Sequence, residues 1–262
     1  MVDPRAGKMI REIAMESQSQ NPNSGDKPSS LSPSLRAAVA PGKPKGAREL
    51  KFLVDEKTAV ALESRIAESL IPDPHSVNGG YAVRSLYLDT PTLDVFHRRG
   101  AHAIHKLRIR QYGSLPSLFL ERKSKRAGRV LKQRIEIPGE QLGESLAGRE
   151  WFAEEIRKQN LGSVCLVGYE RSAWIACDSD MRVTVDRSLR GRIATAFNLD
   201  LGAEPLPVHP GKCVVEFKFL ENIPTLFKVW MSDFGLQPGG HSKYRGSMRA
   251  LGLAHQIYPA TA

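Results

Sequence analysis

The sequence predicts a mainly β (α+β) domain, an eight-stranded antiparallel sheet closed into a barrel or tunnel with a charged interior and helices packed outside. Three observations carry that expectation. Eight short segments alternate apolar and polar residues with period two. Only three segments show helical spacing, too few for a layered α/β fold. One face of strand after strand carries cations.

Ser, Pro, Gly, Gln and Asn dominate from Ser17 to about Gly46. Such a segment buries too little apolar surface to offset its ordering entropy, so residues 1–47 read as a disordered tail, with Met9–Met15 long enough for a helical turn or two. The domain is expected over residues 48–258, about 210 residues, enough for one self-sufficient core. Its first strand is Arg48–Val54. Asp55 then reads as a helix N-cap, with Ala59, Leu62, Ile66 and Leu70 at helical spacing before Pro72 and Pro74 end the run. Strands follow at Tyr81–Asp89, Ile104–Tyr112, Leu118–Ser124 and Val130–Ile137. A helix is expected over Glu150–Gln159, strands over Leu166–Asp178, Met181–Arg187 and Cys213–Phe219, and a helix over Thr225–Phe234 after Pro224.

Composition narrows the function. Lys and Arg number 38 against 28 Asp and Glu, a net charge of +10 that favours an anionic partner. No apolar run is long enough to span a bilayer and no secretory signal is evident, so a cytoplasmic protein is expected. Three cysteines (Cys165, Cys177, Cys213) fit neither a zinc pattern nor a disulfide framework, and Cys177 and Cys213 read as packed thiols.

The strand faces are more informative. Ten cations share the charged face: Lys51, Lys106, Arg108, Arg110, Lys123, Lys132, Arg134, Arg171, Arg182 and Lys218. Five acids join them: Glu49, Glu121, Glu136, Asp186 and Glu216. A face kept for solubility mixes signs more evenly. A charged interior is costly unless an opposite charge neutralises it, and this surplus suits a linear polyphosphate or the triphosphate of a nucleotide. The acids suit Mg²⁺ or Mn²⁺, which bridge phosphate oxygens. No Walker A string occurs, and few aromatics interleave with the cations, so nucleic acid is not the expected partner.

Short motifs extend this reading. Glu49-Leu-Lys51-Phe, Ser85-Leu-Tyr-Leu-Asp89-Thr, Lys106-Leu-Arg108-Ile-Arg110-Gln-Tyr112 and Phe119-Leu-Glu121-Arg-Lys123 occur in order. Tyr169-Glu-Arg171, Arg182-Val-Thr-Val-Asp186, Glu216-Phe-Lys218 and Ser242-Lys243-Tyr244 follow. The ordered set resembles the VTC (vacuolar transporter chaperone) domain, the polyphosphate polymerase branch of the triphosphate tunnel metalloenzymes (CYTH-like superfamily), over about Arg48 to Leu253. The resemblance implies a metal-dependent enzyme that transfers the terminal phosphate of ATP onto a polyphosphate chain inside a basic tunnel. By motif, Arg108, Arg110, Lys123, Arg171, Arg182 and Lys132 would hold phosphates and Tyr169 would add a hydroxyl. Ser242 and Lys243, in a loop after Gly239-Gly240, would close on the chain. Arg108, Arg110, Lys123 and Lys243 are the expected catalytic cations, and Glu216 with Glu49 the expected metal ligands. Ala47 stands where the superfamily's Glu-x-Glu-x-Lys signature has its first Glu, which counts against a two-metal hydrolase. The alternatives are a tripolyphosphate or nucleoside triphosphatase of the same fold and a non-catalytic polyanion binder.

Overall fold

Period-two alternation becomes strand wherever it was expected, and each predicted helix forms. The computed structural model describes residues 46–76, 78–142 and 150–255. The expected tail lies outside these residues except at its end, where Ala47 already belongs to the first strand. Residues 256–258 of the expected domain lie outside them too.

The order is β1 (Ala47–Asp55), α1 (Glu56–Ala67), β2 (Ile71–Pro72), β3 (Tyr81–Asp89), α2 (Asp94–His97), β4 (His105–Tyr112), β5 (Ser117–Arg126) and β6 (Arg129–Pro138). It continues with α3 (Glu150–Lys158), β7 (Gly162–Ile175), β8 (Arg182–Ile193), β9 (Leu206–Pro207), β10 (Lys212–Phe219), α4 (Thr225–Asp233) and α5 (Lys243–Ala250). Asp55 caps α1 by accepting the Thr58 N–H at 2.8 Å. Pro224 precedes α4, its fixed φ suiting a helix start. The short elements β2, β9, α2 and α5 lack a periodic signal long enough to read and were not expected.

Every strand pairing is antiparallel, and the sheet runs β7-β3-β4-β5-β6-β1-β10-β8 before β8 pairs again with β7. Most ladders are long. The β1–β6 ladder is not: among the described residues it holds Ala47↔Val130 and Arg48↔Arg129, whereas β5–β6 holds ten pairs. Beyond Arg48 the free edge of β1 is met by the segment leading into α5, whose Gly239 N–H donates to the Lys51 carbonyl at 2.8 Å.

Two apolar clusters cover the sheet's outer face. Phe52, Val183, Val185, Val215 and Phe217 pack under Leu62 and Ile66 of α1 and Phe227 and Trp230 of α4. Leu107, Leu118, Leu120 and Ile137 pack with Phe152 and Ile156 of α3. Burying each such side chain is worth about 1.5–3 kcal/mol. One helix departs from the expected arrangement. Tyr244 of α5 stacks on Tyr87 (centroids 5.1 Å apart), on the same side of β3 as Ser85, which bonds the charged-face residue Arg110. Gly191 of β8 lets α5 approach, since a Cβ there would lie 3.2 Å from the Ser247 Cβ. Helix α5 therefore packs on the inner side of the sheet, not outside it.

Among the thiols, Cys165 and Cys213 are buried, but Cys177 is exposed in the β7–β8 connection, contrary to its reading as a packed group.

Candidate functional site

The charged faces of the strands meet around a cavity of about 300 Å³. Strand register brings the groups together. Lys106 lies opposite Lys123, Arg108 opposite Glu121, Lys51 opposite Glu216 and Glu49 opposite Lys218. Lys51, Lys106, Arg108, Arg110, Lys123, Tyr169, Arg171, Lys218, Ser242, Lys243, Glu49 and Glu216 all line it. A register shift between Gly168 and Glu170 on β7 leaves Tyr169 out of the β8 ladder. Its hydroxyl accepts from Arg110 at 3.1 Å and from Arg171 at 3.5 Å.

Three predicted cations do not line this cavity. Lys132 and Arg134 reach Glu121 from the other side, Arg134 at 3.8 Å, and Arg134 also lies over the Phe119 ring. Arg182 turns to Asp73 at 2.5 Å and to the Tyr81 hydroxyl at 3.2 Å. Their facing was legible, because alternation fixes which face a residue takes. It does not fix what each long side chain finds to pair with, and these three turn to Glu121 and Asp73 instead of lining the cavity. Glu136, also expected inside, is exposed.

Ser242 and Lys243 were expected in a loop, and the structure corrects this: Ser242 is the N-cap of α5 and Lys243 its first residue. Lys243 is buried and donates to Glu216 at 2.9 Å while pairing with Asp186 at 2.5 Å. Asp186 in turn takes Arg171 at 2.6 and 2.8 Å. Burial alone would push the Lys243 ammonium toward neutrality, but Asp186 and Glu216 hold it charged, well above the usual lysine range. His241, not assigned to the site from sequence, also lines the cavity.

Two carboxylates organise the interior. Glu216 is ringed by Lys51 (2.5 Å), Lys243 (2.9 Å) and Lys218 (3.3 Å). Burial raises its pKa, yet Lys243, Lys51 and Lys218 outweigh that and hold it well below the carboxylate range. Glu121 is fully buried. It accepts from Arg108 Nε at 2.7 Å, with Lys132 ion-paired to its other oxygen and Arg110 3.9 Å away. Again burial opposes the charge and Arg108, Arg110 and Lys132 overcome it. Lys106 has the reverse balance. Burial, then Lys123, Arg98, Lys51 and Arg245, push its pKa down to about 7, and Lys218 falls to about 8, with burial outweighing Glu216 and Glu49.

That depression fixes a pH dependence. A lysine neutral above about pH 7 must take up a proton when a polyanion arrives, because the anion favours the ammonium form. Affinity for a long linear polyphosphate, which reaches both lysines, should therefore fall as pH rises through about 7 to 8, with proton uptake visible by calorimetry in buffers of different ionisation enthalpy. Binding without proton uptake at the upper end of this window would show both lysines already charged.

Glu49 and Glu216 share the Lys51 ammonium, at 3.4 and 2.5 Å. Among the described residues no group of three His, Cys, Asp or Glu side chains is placed to hold a metal. Two carboxylates converging on one cation position suit a hard divalent ion only if phosphate oxygens and water complete its shell, which is usual for Mg²⁺. The residues fit Mg²⁺ or Mn²⁺ in that company.

The family model of the VTC domain matches residues 46–252, spanning every strand of the ring. The chain belongs to the VTC domain family. A comparison with curated proteins found no match. Solved structures similar to this VTC domain include the PH1819 protein of Pyrococcus horikoshii, at 15% identity and TM-score 0.44, covering 80% of this chain and 99% of that one. A putative adenylate cyclase of Bacillus halodurans matches at 14% identity and TM-score 0.46, covering 75% and 95%. A putative adenylyl cyclase from Hippeastrum, described as having a dominant triphosphatase activity, matches at 15% identity and TM-score 0.46, covering 76% and 93%. Within the VTC domain described here, the matched span includes all the cavity-lining side chains. Among the described residues no helix is long and apolar enough to cross a membrane.

Proposed function

We propose that the strand ring is a closed tunnel and that the chain is a polyphosphate polymerase, moving the terminal phosphate of ATP onto a polyphosphate chain. The observation that carries this reading is the cavity itself: ten Lys and Arg side chains (Lys51, Arg98, Lys106, Arg108, Arg110, Lys123, Lys125, Arg171, Lys218 and Lys243) around two lining carboxylates, in a VTC domain. A terminal oxygen of the acceptor chain attacks the γ-phosphorus of ATP. The new P–O–P bond forms as the bond from γ-phosphorus to the bridging oxygen breaks, and ADP leaves with the electron pair. No covalent protein intermediate is needed, so catalysis rests on alignment and charge neutralisation.

Each residue has a part. Arg108 and Arg110 are preset by Glu121, Ser85 and Tyr169 and hold phosphate oxygens without reorganising. Lys123, Lys51, Lys106, Arg171 and Lys218 line the path, and Ser242 with Lys243 brings the start of α5 against it. Lys132, Arg134 and Arg182, which share the charged face without lining this cavity, act on a stretch of the chain outside it. Glu216 and Glu49 hold Mn²⁺ or Mg²⁺, which when bound neutralises and polarises phosphate oxygens. Ala47 leaves β1 one acid short of the superfamily signature, and that favours transfer to phosphate over activation of water for hydrolysis.

The deciding experiment incubates the purified protein with ATP and Mn²⁺ and resolves products by chain length. Long polyphosphate with ADP is expected; free phosphate with no polymer would make the chain a hydrolase, and no turnover would make it a binder. Binding offers a second check. A charge-assisted bond is worth about 1.5–3 kcal/mol, so Arg108→Ala or Arg110→Ala should weaken tripolyphosphate binding roughly ten- to a hundredfold. Unchanged affinity in both variants would remove the arginines from the site.

A further inference from the structure

The cations of the cavity divide into two groups. In the interior, Lys51, Lys123, Arg108, Arg171, Lys218 and Lys243 are each paired with a carboxylate of the protein. At the mouth the acids stop. Arg98 and Lys125 are exposed and line the cavity together with half-buried Lys106. Lys106 bonds only a hydroxyl, Ser242 Oγ at 3.1 Å, and lies 5.8 Å from the Tyr244 ring centroid. Arg245 spreads over the Phe96 ring, and its Nε is buried without a hydrogen-bond partner. Among the described residues none of these four side chains forms an ion pair. Their charged neighbours are other cations: Lys106 feels Arg98 and Arg245, and Arg245 feels Arg98 and Arg249.

Like charges gathered on a partly buried wall repel one another and raise the free energy of the empty protein. Paired interior cations show how this chain relieves such strain when it supplies the anion itself. The mouth has no such partner from the chain, so beyond the screening that water and salt give its exposed side chains, its charge is left to meet an anionic ligand. The cluster is also continuous with the interior, because Lys106 lies opposite Lys123 in the β4–β5 ladder. A triphosphate seated among the interior arginines would leave the mouth unfilled, whereas a longer linear polyanion would run through both.

We propose that Arg98, Lys106 and Lys125, which line the mouth of the cavity, with Arg245 close enough to Lys106 to add its charge, form a second anion subsite, which takes the phosphates of a linear polyphosphate chain that extend beyond those bound inside. This deepens the polymerase reading by separating where a triphosphate sits from where the longer chain is held.

The test uses the full chain without metal or nucleotide and measures tripolyphosphate and long linear polyphosphate side by side by calorimetry. The variant is the double substitution Arg98→Asn with Lys125→Ala, in which Asn tolerates the left-handed backbone and both positions are exposed. Affinity for long polyphosphate should fall about tenfold, equivalent to about 1.4 kcal/mol, with a shallower salt dependence. Affinity for tripolyphosphate should stay within about twofold, well under that shift. Equal loss for both ligands would merge the mouth with the interior site, and no loss for the long chain would abolish the subsite; either overturns the proposal. Because the readout is binding, it stands apart from the polymerase reading. A protein that proves to be a hydrolase would still show or lack the length dependence.

Discussion

Replacing Glu216 with Gln should cost about 10²–10³-fold or more in turnover while leaving metal-free tripolyphosphate binding intact or stronger. The two halves have one cause. Glu216 faces three ammonium groups, Lys51, Lys218 and Lys243, and its charge lowers the potential that a polyanion meets. Gln keeps the shape and removes the charge, so those lysines become free to meet phosphate. The same change removes a carboxylate that would hold the divalent ion, and several kcal/mol of charge stabilisation at phosphate oxygens corresponds to the rate loss expected. Calorimetry without metal and product analysis with Mn²⁺ read the halves separately. Normal turnover would make Glu216 an ion-pair partner only. Loss of metal-free binding as severe as that of Arg108→Ala would make it a structural group.

Glu121→Gln is expected to have the largest effect on stability. Its carboxylate is fully buried between Arg108, Arg110, Lys132 and Arg134, and removing one partner of a buried ion cluster leaves uncompensated charge at about 3–5 kcal/mol. At about 2–4 °C per kcal/mol for a domain of this size, the ligand-free melting temperature should drop by roughly 10 °C. Tripolyphosphate should restore more of that loss than it adds to the parent protein, because its oxygens replace the missing carboxylate. A variant that melts like the parent, or one that gains no extra protection from the ligand, would show that Glu121 does not balance the arginines.

Much of this could be read from residue order alone. Tyr81–Asp89 was delimited to the residue, and the alternation of Lys106, Arg108 and Arg110 against Leu107 and Ile109 separated cavity from core. Side-chain direction in a strand has a period of two, so facing is a local property. Level along the strand is not. It depends on the register of eight strands and on the partner each long side chain meets, which is why Lys132, Arg134 and Arg182 share the charged face without lining the cavity. Arg182 also found its partner, Asp73, in the α1–β3 connection, where no periodicity signals a contact. Helix α5 escaped because Lys-Tyr-Arg-Gly-Ser-Met-Arg-Ala is short, contains Gly246 and buries only Tyr244 and Met248 as large apolar groups. Its N-cap Ser242 was present as a signal but was absorbed into the preceding Gly-rich run.

The two-pair ladder between β1 and β6 gives the ring a built-in place to part. Among the described residues every other junction around the circumference involves five or more pairs, so thermal opening is expected first where Ala47 and Arg48 meet Val130 and Arg129. Amide hydrogen exchange would find that boundary first. A hoop with one weak stave can widen without unfolding, since the long β5–β6 and β1–β10 hairpin-like pairs move as units on either side. The circumference is then a mechanical variable and not a fixed dimension of the fold.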